Sequence, residues 1–197
     1  MKLVLLMGSP RKEGHTAALA APFLEECGRL GVEVESFWLY EHTILPCLGC
    51  KVCQDRMDRF GCVRQDDGEA LFETMASCDG IVLATPIYAW YCTAPMKTLL
   101  DRVVYAGTKN YGRKKGPSLL RGKGLASLVT CGYPEEKGAD LWQAGLQRWC
   151  RHSGLSWWGM LCARDKGPGA PFLTQGKLAA ARDFARTLYR QAGGEEV

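Results

Sequence analysis

Apolar runs of strand length alternate with longer amphipathic stretches from one end of the chain to the other. The strand-length runs occupy residues 2–7, 32–38, 80–85, 124–130 and 155–163. The stretches with helical spacing of apolar residues occupy 16–30, 67–77, 94–105, 138–152 and 175–191. Because the two patterns alternate five times, they predict an α/β fold with helices on both faces of a mostly parallel sheet. Pro22 predicts a kink or a shifted start in the first helix, and residues 193–197 are expected to fray.

Two connections are too long for simple strand–helix turns. Residues 39–66 form a cysteine-bearing loop after the second strand, and residues 106–123 form a Gly/Lys/Arg-rich loop after the third helix. Long irregular loops in compact domains are often functional. In an open parallel sheet, ligands bind beyond the carboxyl ends of the strands. The loops that begin at Gly8, Pro86 and Cys131 are therefore expected to converge there.

The composition indicates one globular domain spanning residues 1–197. Hydrophobic residues make up 47% of the 197 residues and charged residues 23%, which suits a domain with a full core. The net charge of +4 is too small to indicate a nucleic-acid partner. No apolar run approaches the ~18 residues that span a bilayer. The apolar run before Gly8 is too short for a signal peptide, so we expect a cytoplasmic protein without membrane insertion.

A loop rich in glycine and hydroxyl residues joins the first strand to the first helix: Gly8-Ser9-Pro10-Arg11-Lys12-Glu13-Gly14-His15-Thr16. The backbone N–H groups of such a loop and the positive end of the helix bind phosphate. The spacing of its glycines differs from that of ATP-binding loops, and the Gly-x-Gly-x-x-Gly of dinucleotide-binding loops is absent. The loop therefore favours a mononucleotide phosphate, with FMN as the best candidate. The alternative is an ordinary strand-to-helix turn.

A second loop follows the third strand: Thr85-Pro86-Ile87-Tyr88-Ala89-Trp90-Tyr91-Cys92-Thr93-Ala94-Pro95-Met96-Lys97. Together with Gly8-Ser9-Pro10-Arg11, it resembles the NADPH-dependent FMN reductase branch of the flavodoxin-like superfamily, which includes iron-sulfur flavoproteins. The resemblance runs from Met1 to about Tyr189. It implies a flavodoxin-like three-layer sandwich with a five-stranded parallel sheet of order 2-1-3-4-5.

The resemblance also implies a set of cofactor contacts. The FMN phosphate would be bound by Ser9, Arg11, Gly14, His15 and Thr16. The isoalloxazine ring would be lined by Pro86, Ile87, Tyr88, Ala89 and Trp90. The loop after the fourth strand would close over the ring with Thr130, Cys131 and Gly132. Packing in the core or in an interface is the alternative for Trp90 and Tyr91.

The activity implied is two-electron transfer from NAD(P)H through FMN to a quinone, another flavin or another aromatic acceptor. No side chain is predicted to act as an acid, base or nucleophile, because the flavin carries the chemistry. One alternative is an iron-sulfur flavoprotein that carries electrons, and another is a redox- or metal-sensing binding protein. A homodimer or homotetramer is expected, with Trp90, Trp157 and Trp158 as candidate interface aromatics.

Four cysteines in the 39–66 loop have the spacing C-x2-C-x2-C-x8-C: Cys47, Cys50, Cys53 and Cys62. Thiols at two-residue intervals can face one point, as the ligation of a [4Fe–4S] cluster requires. Iron-sulfur flavoproteins carry a compact motif of this kind at this place, with a shorter final spacing. A [4Fe–4S] cluster, zinc held by four thiolates and free thiols all remain open. The six other cysteines are expected to be small buried hydrophobes, and Cys131 should also approach the flavin.

Basic residues concentrate in the 106–123 loop, Lys109 among them. These cations either bind the 2′-phosphate of NADPH or an acidic substrate, or form a solvated loop. Asp101 and Arg102 are expected to form structural pairs near the end of the third helix.

Overall fold

A computed structural model describes residues 1–167 and 169–194. Its strands are β1 (Lys2–Met7), β2 (Glu33–Trp38), β3 (Gly80–Pro86), β4 (Gly124–Cys131) and β5 (Ser156–Arg164). Its α-helices are α1 (His15–Arg29), α2 (Gly68–Ser77), α3 (Ala94–Gly107), α4 (Glu135–Gly138), α5 (Asp140–Ser153) and α6 (Gln175–Gln191). Short 3-10 helices occupy Leu39–Glu41 and Val52–Asp55. The predicted strands and helices are confirmed, with α5 as the fourth predicted helix, and the short helix α4 before it was not predicted.

The strands form a parallel sheet in the order β2-β1-β3-β4-β5, which confirms the predicted topology. The central strands β1, β3 and β4 are almost entirely buried, which explains their continuous apolar runs. Edge strand β2 carries Glu33 and Glu35, which form ion pairs with Lys2 at the adjacent end of β1. Since all five strands are parallel, their carboxyl ends share one edge of the sheet.

Helices cover both faces of this sheet. On one face, α2, α3 and α5 enclose a core that contains the fully buried Trp142. On the other face, α1 and α6 pack together over a second core. None of the helices in the described part of the chain is long and apolar enough to cross a membrane.

Two local expectations need correction. Helix α1 runs without interruption from His15 through Pro22 to Arg29, so the predicted shift of its start is wrong. Phe23 beside the proline is completely buried in the second core, and this packing holds the helix across the missing N–H. Trp158 is also buried, at 8% exposure, so it is not a surface aromatic available to an interface. Residues 195–197 of the segment predicted to fray lie outside the described residues.

Candidate functional site

The loop between β1 and α1 presents an uncapped helix start at the carboxyl edge of the sheet. Gly14 is the N-cap residue of α1, no side chain caps it, and the first turn contains no acidic residue. The first N–H groups of an α-helix have no partners within the helix, and the helix dipole makes this end positive. The start of α1 is therefore arranged to receive an anion, as the sequence predicts.

Short contacts fix the shape of this loop. Ser9 is buried, and its hydroxyl accepts a hydrogen bond from the backbone N–H of Arg11 at 3.2 Å. The Thr93 hydroxyl donates to the carbonyl of Gly8 at 2.7 Å, which joins the loop to the start of α3. A Cβ at Gly8 would lie 2.9 Å from that hydroxyl oxygen, so the close approach requires glycine.

A buried hydroxyl pair connects the helix start to the end of β4. The Oγ1 atoms of Thr16 and Thr130 are 2.8 Å apart, and both residues are buried. One of the two hydroxyls donates to the other, so the accepting hydroxyl keeps its own hydrogen for a further acceptor. The fold thereby brings together two predicted cofactor residues that are 114 positions apart in the sequence.

His15 has partners that the sequence did not indicate. Its Nδ1 lies 2.8 Å from a carboxylate oxygen of Asp165, immediately after β5, and its ring stacks on Phe172 with centroids 4.2 Å apart. The Lys177 ammonium lies 3.9 Å from the centroid of the Phe172 ring. A hydrogen bond from the Gly167 N–H holds the pKa of Asp165 below its usual value, with a further contribution from His15. With Nδ1 directed at the carboxylate, Nε2 is the remaining polar atom of the imidazole.

The loop after β3 contains a tight hairpin whose two central residues are backbone outliers. Tyr88 and Tyr91 exchange both backbone hydrogen bonds, at 2.9 and 3.0 Å. Ala89 and Trp90 between them have φ angles of +49° and +62°. This left-handed geometry is typical of Asn-Gly turns and strained for side-chain-bearing residues, and such strain concentrates at functional sites. The turn leaves the Trp90 side chain 53% exposed.

A cleft of about 250 Å³ lies between this hairpin and the loop after β4. It is lined by Ile87, Ala89, Trp90, Cys131, Gly132, Tyr133 and Gly138. The rings of Trp90 and Tyr133 are nearly parallel, at 12°, with centroids 6.5 Å apart. This spacing lies within the range of about 4.5–7 Å for aromatic pairs, and the two parallel rings form an aromatic slot at the edge of the cleft. Tyr133, which sequence reasoning placed in the loop but not among the site residues, is half of this slot.

The remaining predicted ring residues have other surroundings. Pro86 ends β3 and pairs with Thr130 near the end of β4, and the Ile87 N–H donates to the Thr130 carbonyl at 2.8 Å. Tyr88 is exposed. Tyr91 packs edge-on against buried Trp142 at 5.3 Å, so it belongs to the core and not to a ring platform.

The four loop cysteines surround a second, small cavity of about 20 Å³. Cys47 and Cys50 are exposed, Cys53 and Cys62 are half-buried, and all four are free thiols. They share this cavity without forming a tight ligand shell: within residues 1–167 and 169–194, no three His, Cys, Asp or Glu side chains are grouped closely enough to hold a metal ion. The donor chemistry fits a thiolate-bound metal, and binding would have to draw the sulfur atoms together.

Buried cations adjoin the cysteine loop. Arg102 is fully buried and pairs with Asp66 through Nη1 at 2.6 Å, whereas the neighbouring Asp101 pairs with Lys97. Lys109 is also fully buried, so it belongs neither to a solvated loop nor to a surface phosphate site. Periodicity gave no signal for this, because the burial of Lys109 depends on the path of the cysteine loop.

Comparisons with known proteins identify the family. The family model described as NADPH-dependent FMN reductase matches residues 1–144. The chain belongs to this family.

Among curated relatives of this FMN reductase family member, an iron-sulfur flavoprotein of Archaeoglobus fulgidus is 34% identical over 139 residues, covering 69% of this chain and 58% of that protein. An iron-sulfur flavoprotein of Methanocaldococcus jannaschii is 35% identical over 132 residues, covering 66% of this chain and 61% of that protein. The matches thus span somewhat more than half the length of these relatives.

A solved structure confirms the flavodoxin-like fold. The NAD(P)H:quinone oxidoreductase from Methanothermobacter marburgensis superposes with a TM-score of 0.75 at 19% identity, covering 95% of this chain and 96% of that one. At this level of identity the likeness concerns the fold alone.

Proposed function

We propose that this chain binds FMN and acts as an NAD(P)H-dependent oxidoreductase toward a quinone, a flavin or another aromatic acceptor. The observation that carries the proposal is the pairing of an uncapped helix start with a parallel aromatic slot at the same edge of the sheet. The first suits a phosphate and the second suits a flat ring. Family membership supports both FMN and the nicotinamide donor.

The phosphate end of the proposed site is built from the 8–16 loop. The first N–H groups of α1 would bind the phosphate oxygens, with Arg11, Ser9 and the Thr16 hydroxyl beside them. His15 would present Nε2 to the phosphate while Asp165 fixes its ring through Nδ1. The hydrogen bond to Asp165 holds the imidazole in one orientation, so Nε2 stays directed away from the carboxylate.

The ring end is the slot formed by Trp90 and Tyr133. When bound, FMN would supply two-electron hydride chemistry between NAD(P)H and the acceptor. Ile87, Cys131 and Gly132 would exclude water from the buried edge of the ring. Tyr133 is 58% exposed and lies on a loop, so donor and acceptor in turn would take its place against the ring.

The assembly is part of the proposal. We infer a single flavodoxin-like domain over residues 1–197 that forms a homodimer or homotetramer. Exposed Tyr88 and Trp90 on the hairpin favour a partner subunit there, since aromatic residues are enriched in interfaces. Sedimentation at micromolar concentration with full FMN occupancy should give at least a dimer, and a monomer would contradict this part.

Flavin affinity and turnover test the main proposal. The purified protein should carry one FMN per chain, and apo-protein should bind FMN more tightly than riboflavin, which has no phosphate. Anaerobic addition of NADPH should bleach the flavin absorption, and a quinone should restore it. Equal affinity for FMN and riboflavin would refute the phosphate site, and failure to bleach with either NADH or NADPH would refute the enzymatic activity.

A second candidate function, that of an iron-sulfur flavoprotein, rests on the four cysteines around one cavity. The names of the curated relatives support it. A [4Fe–4S] cluster on these thiolates would supply one-electron transfer between the flavin and an outside partner. Anaerobically prepared protein would then carry about four irons per chain, and Cys50→Ser would remove them while FMN stays bound. Iron-free and zinc-free anaerobic protein would leave the cysteines as thiols and the FMN enzyme intact.

A further inference from the structure

Lys109 is a fully buried cation that contacts the cysteine loop directly. Its side-chain ammonium donates hydrogen bonds to three backbone carbonyls of that loop: Cys53 at 2.9 Å, Arg59 at 2.8 Å and Phe60 at 3.3 Å. Together with the Gln54 amide, which bonds the Thr108 carbonyl and the Tyr111 N–H, this side chain closes the basic segment over the 47–62 stretch.

No carboxylate in the described part of the chain forms an ion pair with Lys109. Asp58 attracts the ammonium only from beyond ion-pair distance. A buried charge without a counter-charge is strongly unfavourable. Carbonyl dipoles satisfy the N–H donors, but they supply no net negative charge.

Arg102 is a second buried cation with unused donors. Its Nη1 atom is paired with Asp66, but Nε and Nη2 are buried without a hydrogen-bond partner. The guanidinium lies 5.8 Å from the centroid of the Phe60 ring and donates to the Leu45 carbonyl at 3.2 Å, so it lies beside both ends of the cysteine loop. The Cys62 thiol beside these donors is only a weak acceptor, and a thiolate there would satisfy them better.

The cavity lined by the four cysteines thus has a cation beside two of its members, with Lys109 near Cys53 and Arg102 near Cys62. Four neutral thiols would leave the charge of Lys109 unbalanced. Four thiolates around one Zn²⁺ carry a net charge of −2, and binding releases the four thiol protons to solvent.

We propose that Lys109 is the counter-cation of an anionic, thiolate-held metal group in the cysteine loop, and that Arg102 donates hydrogen bonds to the same group. Lys109 is a positioning residue that touches the loop and not the metal. The inference rests on the second candidate function and is independent of the FMN chemistry. It also favours a metal-loaded loop over free thiols.

Zinc binding to reduced, metal-free protein tests this role, with Zn²⁺ alone as the probe and a chromophoric chelator as competitor. Lys109→Gln removes the charge but keeps a donor for the loop carbonyls, and Lys109→Met is a second neutral variant. Lys109→Arg keeps the charge, and Lys115→Met removes an exposed lysine of the same segment as a matched control. FMN content and far-UV circular dichroism report whether each variant is folded.

We expect the neutral variants to bind Zn²⁺ about ten- to a hundredfold more weakly, the scale of one charge a few ångströms away at an intermediate dielectric constant. Lys109→Arg and Lys115→Met should stay within about threefold of the unaltered protein, a difference well under one charge interaction. Folded neutral variants with unchanged zinc affinity would overturn the inference and leave the metal site standing. Unaltered protein that binds neither zinc nor iron would overturn the metal site and this inference together, while retained FMN would leave the main function intact.

Discussion

Replacing Trp90 with alanine should weaken the binding of FMN and of riboflavin by the same factor. Trp90 forms one wall of the slot, with its ring nearly parallel to that of Tyr133 and 6.5 Å away. Stacking of an aromatic side chain on a flat base contributes about 1–3 kcal/mol. At about 1.4 kcal/mol per factor of ten, flavin affinity should fall about 5- to 150-fold. The loss is shared because both flavins have the same ring.

The fold should tolerate this change. The Trp90 side chain is 53% exposed and belongs to neither core, so the free energy of unfolding should shift by no more than about 0.5 kcal/mol. Trp90→Phe keeps an aromatic plane and should recover most of the affinity. His15→Ala is the complementary variant, because it alters only the phosphate end and should weaken FMN while leaving riboflavin unchanged.

Quenching of flavin fluorescence on titration with apo-protein measures both affinities, and thermal unfolding followed by circular dichroism checks the fold. If Trp90→Ala changed neither affinity, the slot would not hold the ring. If it weakened FMN alone, the side chain would act at the phosphate end, and the assignment of the two ends would be wrong.

Three further predictions concern the hairpin, the exposed wall of the slot and the buried ion pair. Ala89→Gly should stabilise the fold by about 0.5–1 kcal/mol in thermal unfolding, because φ is +49° there; a lower Tm would contradict the strain argument. Tyr133→Ala should weaken FMN binding yet leave the rate of NAD(P)H oxidation undiminished at saturating FMN. A slower bleaching of the flavin in stopped flow would contradict the idea that the nicotinamide takes the place of Tyr133. Burial would raise the pKa of Asp66, but the hydrogen bonds it accepts, led by that from Arg102, outweigh burial and lower the pKa below 3.8. The pair therefore stabilises the protein above pH 3.8 and stops doing so as the pH falls through the lowered pKa. Asp66→Asn should reduce the free energy of unfolding by about 3–5 kcal/mol at neutral pH and flatten its decline in acid, and an unchanged acid profile would refute this role.

The sequence by itself determined the secondary-structure elements and the edge of the sheet where the candidate site lies. Central strands such as Gly80–Pro86 are buried on both faces and are therefore continuously apolar, so they can be predicted from the sequence. Since parallel strands end at one edge, the loops that begin at Gly8, Pro86 and Cys131 mark that edge in the sequence. The uncapped start of α1 follows from the same loop.

Tertiary structure alone decided which distant side chains meet. His15 and Asp165 are 150 positions apart, and their contact depends on how α1 packs beside the end of β5. The slot between Trp90 and Tyr133 requires the relative placement of two loops, one of them a hairpin with unfavourable φ angles that local preference argues against. The basic segment around Lys109 predicts a surface residue, yet three backbone carbonyls of the cysteine loop enclose its ammonium. Local propensity and periodicity describe short-range preferences, whereas these contacts arise only when separate elements are packed together.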